Sequence, residues 1–218
     1  MKKHLVLIFA VCSALLISCN STRITSSWSL PGASAHKYNK VLVISMTGSR
    51  DRELRENMEN AVAKEFNAYN INAVTASSKY GPKTFQNMSD DEAAKMVSDD
   101  GFDGVIILAL LDKNQEEYYT PGKVIHTPYA VVRSRWTSNY RVLYSRVYTP
   151  GYYSTTTNYE LEANFYDAAK NDLQYSAQAT SFNPGSSEAL STDFSKSVID
   201  DMIKKGLISL STIWLSRI

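Results

Sequence analysis

Two continuous apolar runs constrain this chain more than anything else in it. YNKVLVISM, Tyr38 to Met46, and DGVIILALL, Asp103 to Leu111, are β-branched and lack alternation. Runs of that length and content read as strands buried on both faces. Residues 51 to 69 lie between them and place Leu54, Met58, Ala61, Val62, Phe66 and Tyr69 on one helix face. INAVTAS from Ile71 gives a short strand, and Ser89-Asp90-Asp91-Glu92 is a capping box opening a helix that ends near Gly101. The order strand, helix, strand, helix, strand predicts an α/β sandwich with a partly parallel sheet.

The second half changes pattern. Tyr159, Leu161, Ala163 and Phe165 alternate with polar residues, as do Leu173, Tyr175, Ala177 and Ala179. This predicts an antiparallel hairpin with one buried face, so the sheet is mixed. A last helix is expected from about Thr192 to Lys205, with Gly206 as its cap, and an apolar tail follows. Residues 113 to 157 interrupt this plan. Ten of the fourteen tyrosines fall between Tyr118 and Tyr166, and Pro121, Pro128 and Pro150 break the segment up. It reads as a Tyr-rich loop or hairpin insertion with strand-like content at Val131 to Arg135 and Tyr140 to Tyr148.

The amino terminus sets the location. Lys2 and Lys3 precede an apolar stretch from Leu5 to Ile17 that is too short for a stable membrane span. A charged start and a short apolar core mark a signal peptide, residues 1 to 18. Its end, Leu16-Ile17-Ser18-Cys19, resembles the lipobox of bacterial lipoproteins. The resemblance implies cleavage before Cys19 and lipidation of Cys19. Asn20 stands where some lipoproteins carry a retaining Asp, so the implied destination is the outer membrane, facing the periplasm. Residues 19 to 37, rich in Ser, Thr, Pro and Ala, read as a tether, with Ile24 and Trp28 expected to dock on the domain or else to sit near the lipid headgroups. Residues 38 to 218 then form a single α/β domain carrying the 113 to 157 insertion.

Cys12 leaves with the signal peptide, so the mature chain has neither a disulfide nor a cysteine zinc site. It carries 21 basic and 22 acidic residues, a net charge of −1, which provides no global attraction for nucleic acid. No catalytic motif, metal site or cofactor site is expected. His36 and His126 read as solvent-facing, and there is no HExxH helix and no Gly-x-Ser-x-Gly elbow. Gly48-Ser49, between a strand and a helix, is a weak anion-site candidate. Asp99, Asp100 and Asp103 read as a solvated turn rather than a calcium loop.

YNKVLVISM with its following helix resembles the opening of small exported lipoproteins of unknown function. NYELEANFYDAAKNDLQYSAQATSFNP with a helix ending in DDMIKKGLI resembles their closing half, with Tyr175 where relatives often have tryptophan. The likeness implies a fold similar to the N-terminal domain of the Tol-system propeller protein and to the lipoprotein activators of penicillin-binding proteins. It implies no catalytic residue.

The insertion supplies the candidate site. Arg133, Arg135, Trp136, Tyr140, Tyr144, Tyr148, Tyr152 and Tyr153 interleave Arg with aromatics. Such side chains supply much of the energy at protein interfaces. The expectation is a non-catalytic, lipid-anchored accessory or assembly factor that meets an envelope protein through this surface. The alternative is a module binding a glycan or small envelope ligand. A plain twisted hairpin explains the same tyrosines without any partner.

Overall fold

The computed structural model describes residues 21–31, 38–48, 51–81, 84–133 and 140–208. In chain order the strands are β1 (Thr22–Ser29), β2 (Lys40–Met46), β3 (Asn72–Thr75), β4 (Gly104–Thr120), β5 (Lys123–Arg133), β6 (Tyr140–Thr149), β7 (Tyr152–Asp167) and β8 (Asp172–Phe182). The helices are α1 (Arg52–Ala68), the single turn α2 (Ala76–Lys79), α3 (Asp90–Asp99) and α4 (Ser187–Lys204). The protein is a mixed α/β fold. A six-stranded sheet runs β1-β8-β7-β4-β2-β3, and β5 and β6 form a separate two-stranded sheet. The chain forms two compact units, Met1–Lys113 with Asn158–Ile218, and Asn114–Thr157.

In the first unit, β3, β2 and β4 are parallel, while β8 pairs antiparallel with both β7 and β1. The two uninterrupted apolar runs are the central parallel strands, as their lack of alternation requires. Val41, Val43, Ile106 and Leu108 point to one face, where α1 supplies Met58, Val62 and Phe66 and α4 supplies Leu190, Phe194 and Val198. Leu42 points to the other face, against Val97 of α3, Phe102 and Ala76. Each fully buried large side chain here contributes about 1.5–3 kcal/mol. Phe165 anchors the first cluster, edge-on to Tyr38 at 4.8 Å between ring centres and tilted against Phe66 at 6.2 Å. Gly104 is what lets it in, since a Cβ there would lie 2.8 Å from Phe165 Cζ.

The helix ends follow their sequence signals. Ser89 and Glu92 form the full capping box of α3. Ser186 caps α4, which therefore begins five residues before the expected Thr192. Gly206 closes α4 with φ of 75°, a conformation glycine adopts without strain. Leu207 and Ile208 are buried, and the apolar tail beyond them lies outside the described residues.

One expectation needs correction. Residues 22 to 29 of the segment read as a tether are β1, an edge strand with Thr22 opposite Ser181 and Ser29 opposite Tyr175. Ile24 packs partly buried against the main core, whereas Trp28 stays 44% exposed. Serine and threonine tolerate either role. What decides here is β8, whose outer edge would otherwise leave a row of unpaired backbone groups. Ser21 is already tied down. Its N–H and Oγ donate to Asp193 Oδ2 at 3.3 and 3.1 Å, and its carbonyl accepts from the Phe182 N–H at 3.0 Å.

Candidate functional site

The second unit is one long antiparallel hairpin, extending through the region where only short strand-like stretches were expected. Its ladder pairs Lys123 with Thr149, His126 with Arg146, Pro128 with Tyr144 and Arg133 with Tyr140. A bulge lies between Pro128 and Ala130, a position where a missing N–H is tolerated. The outer parts of β4 and β7 hold the same register. Gln115 Nε2 donates to Thr157 Oγ1 at 3.3 Å, Ser154 Oγ donates to the Tyr118 carbonyl at 3.5 Å, and the Tyr119 and Tyr153 rings lie 4.8 Å apart.

Both strands break at one level. Thr120-Pro121-Gly122 and Thr149-Pro150-Gly151 repeat one motif, and the register sets each proline opposite the other strand's glycine. The two turns pack closely. A Cβ on Gly122 would lie 2.7 Å from the Thr149 carbonyl oxygen, and one on Gly151 would lie 2.9 Å from that of Thr120. The glycines are therefore needed for close approach. The prolines end each ladder because they have no N–H to give.

Along β5 and β6 the side chains alternate between two faces. Val124, His126 and Pro128 share a face with Tyr148, Arg146 and Tyr144, while Ile125 and Thr127 share the other with Val147 and Ser145. Both faces are open. Val124 is 53% exposed, Ile125 52%, Tyr144 57% and Tyr148 68%. Tyr152, Tyr153, Tyr118, Tyr119 and Tyr129 are exposed as well. Tyr118 donates its hydroxyl to Glu116, and that hydrogen bond with the adjacent charge raises its pKa.

Of the residues proposed from sequence, Tyr144 and Tyr148 share one face of β6, and Tyr152 and Tyr153 lie just beyond the break on β7. Arg133 and Tyr140 are backbone partners near the end of the ladder. Arg135 and Trp136 lie outside the described residues. Sequence reasoning missed Val124, Ile125, Tyr129 and Val147. The repeated Tyr-Thr-Pro-Gly at 119–122 and 148–151 is the signal that would have set the register and exposed them.

The weaker candidates resolve differently. The turn after β2 borders a cavity of about 220 Å³ lined by Ser45, Thr47, Arg55, Glu59 and Ser77. Arg55 Nε is buried there without a hydrogen-bond partner among the described residues. Ser49 of the Gly48-Ser49 candidate lies outside the described residues, and two other backbone amides bordering this cavity are engaged. Glu59, 2% exposed, accepts from the Ser45 N–H at 3.1 Å and the Ser77 N–H at 3.0 Å. The Glu59 carboxylate thus joins β2, α1 and α2. A neighbouring cavity of about 390 Å³ is mostly apolar, lined by Ile44, Met46, Phe85, Met88, Val97 and Ile107 among others.

The acidic residues at 99–103 diverge instead of converging. Asp100 accepts from the Tyr80 hydroxyl at 2.5 Å, which with Lys79 and Lys40 holds its pKa below the usual value. Asp103 caps the start of β2, accepting from the Asn39 and Lys40 N–H groups at 2.7 and 2.9 Å. Asp201 accepts from the buried Tyr175 hydroxyl at 2.9 Å, and burial with that charge raises the Tyr175 pKa. Among the described residues no group of three or more His, Cys, Asp or Glu is placed to hold a metal ion. His126 lies in β5, and His36 lies outside the described residues.

No protein-family model and no curated protein matches this chain. Several solved structures share features of its fold. The PelC dodecamer from Paraburkholderia phytofirmans aligns at 11% identity and a TM-score of 0.43, covering 81% of this chain and 94% of PelC. Lipoprotein GNA1162 from Neisseria meningitidis aligns at 12% identity and a TM-score of 0.43, covering 76% of this chain and 99% of its own. A PDZ domain protein from Parabacteroides distasonis aligns at 7% identity and a TM-score of 0.36, covering 84% of this chain and 36% of its own. At such scores these likenesses carry no argument about activity or partners.

Proposed function

We propose that this chain is a non-catalytic, lipid-anchored protein of the cell envelope, and that its hairpin ribbon is where another envelope protein docks. One observation carries the docking reading. Large apolar side chains lie open on both faces of a two-stranded sheet. An isolated two-stranded hairpin is marginally stable in water. Among the described residues β5 and β6 pair only with each other, so each strand offers an open edge as well as a face. A partner strand on an edge, with Tyr and Val side chains packed over it, would satisfy both needs. The anchor on Cys19 supports the reading by raising the local concentration at the membrane, so that modest contacts suffice. The Asn after Cys19 favours the outer membrane, with the domain in the periplasm.

Site-specific photo-crosslinking tests this. A photoreactive residue replaces Tyr148 or Ile125, on opposite faces of the ribbon, or Lys170 in the β7–β8 turn as control. The expected result is a discrete adduct with one envelope protein from the ribbon positions and none from Lys170. Adducts absent from the ribbon, or equal at all three positions, overturn docking. Retention of the protein on purified peptidoglycan, lost with Tyr144→Ala and Tyr148→Ala, would establish the glycan alternative instead.

A further inference from the structure

If Cys19 carries the lipid, a single residue separates it from Ser21 of the first unit, which bears on which end of that unit meets the bilayer. We infer that the end of the six-stranded sheet carrying Ser21, Phe182 and Asn158 rests on the lipid surface, with the Phe182 ring in the headgroup layer. The inference builds on the lipid-anchor reading of Cys19 and adds an orientation and a contact residue to it.

Cys19 and Asn20 are the only mature residues before Ser21. Two residues of fully extended chain span at most about 7 Å. Ser21 offers no further reach, because its N–H and Oγ are bonded to Asp193 and its carbonyl to the Phe182 N–H. Thr22 follows inside the sheet, its Oγ1 donating to Ser181 Oγ at 2.9 Å in a buried bond. An acylated Cys19 sits at the boundary between headgroups and acyl chains. That brings the Phe182 backbone, 3.0 Å from Ser21 through one hydrogen bond, within roughly the depth of the interfacial layer, where apolar groups bury by about 5–10 Å.

Phe182 suits that place. It ends β8, and its side chain is 65% exposed although it adjoins a packed sheet. Aromatic rings concentrate at membrane interfaces. Its ladder partner is Asn158, and the next residue, Tyr159, carries Lys113 Nζ 5.5 Å from its ring centre. A lysine here offers a cation to lipid phosphates. The β7–β8 turn, with Asp167 opposite Asp172, closes the other end of the same hairpin.

The test exploits the absence of other thiols in the mature chain. Phe182→Cys and Lys170→Cys are made separately in the full-length, processed protein, labelled with an environment-sensitive fluorophore, and reconstituted in phosphatidylethanolamine/phosphatidylglycerol vesicles. Nitroxide-bearing lipids then act as quenchers. Mass spectrometry of the N-terminal peptide establishes acylation first. The expected result is several-fold stronger quenching at position 182 than at 170, with a blue-shifted emission at 182 alone. With Cys19 acylated, equal quenching or stronger quenching at 170 overturns the orientation and leaves the anchor standing. An unacylated Cys19 overturns the anchor reading and this inference with it.

Discussion

The two units of this protein use the same type of strand to opposite ends. In the first, β2 and β4 are covered on both faces, and Val41, Leu42, Val43, Ile106 and Leu108 are sealed from solvent. In the second, Val124, Ile125 and Val147 stand about half exposed in strands of similar composition. The difference is that helices α1, α3 and α4 cover the first sheet. No described element covers β5 and β6. Strand-forming sequence alone therefore does not decide burial. In the ribbon, valine and isoleucine therefore contribute little by burial among the described residues.

This contrast can be broken on purpose. Phe165→Ala removes the ring that Tyr38 and Phe66 pack on, and is expected to cost about 3–5 kcal/mol in denaturant unfolding of the first unit. Tyr148→Ala, the corresponding loss of an aromatic in the ribbon, should stay within about 0.5 kcal/mol. Equal effects would mean that the ribbon has a core of its own. Glu59→Ala strands the buried Ser45 amide, which should cost about 1–3 kcal/mol, and also frees the half-buried Ser77 amide, at a smaller cost because water can reach it. Gly151→Ala drives a Cβ against the Thr120 carbonyl and should speed amide exchange across β5 and β6 while leaving the first unit's unfolding midpoint unchanged.

The smallest effect is electrostatic. Asp100 is held below its ordinary pKa, chiefly by the Tyr80 hydroxyl. A depressed carboxylate contributes stability above its unfolded pKa and loses it as pH falls through the folded one. The side chain is still 34% exposed and screened by solvent, so the gain is slight. It should be visible as a low Asp100 midpoint in a carbon NMR titration, moving back toward the ordinary value in Tyr80→Phe.

What was legible in the sequence tracks how strongly burial constrains each segment. Continuous runs gave β2 and the inner part of β4 up to Leu111, because a strand covered on both faces admits few polar positions. Alternation gave the β7–β8 hairpin, because one face is sealed by Leu161, Ala163, Phe165 and Tyr175. The α3 capping box was legible because it is a local exchange of hydrogen bonds. β1 was not, since Ser and Thr at an edge follow no core periodicity and its pairing is with a strand near the other end of the chain. The ribbon was legible as an insertion, with bounds one residue from those observed at its start. Its length was not, because Pro128 at a bulge and the paired Pro-Gly steps imitate loop punctuation. The insertion's aromatic surface could be named from composition. Its facing pairs could not, since they depend on register.

The edge position of β1 also sets an order of events. Thr22 finds its ladder partner only when Ser181 has been made, 159 residues later. Closing so long a loop is slow compared with forming the local helices and hairpins. Until then the segment that becomes β1 has no strand to join. Completion of the sheet then waits on its longest-range pairing, so that the first strand in the chain is among the last to take its place.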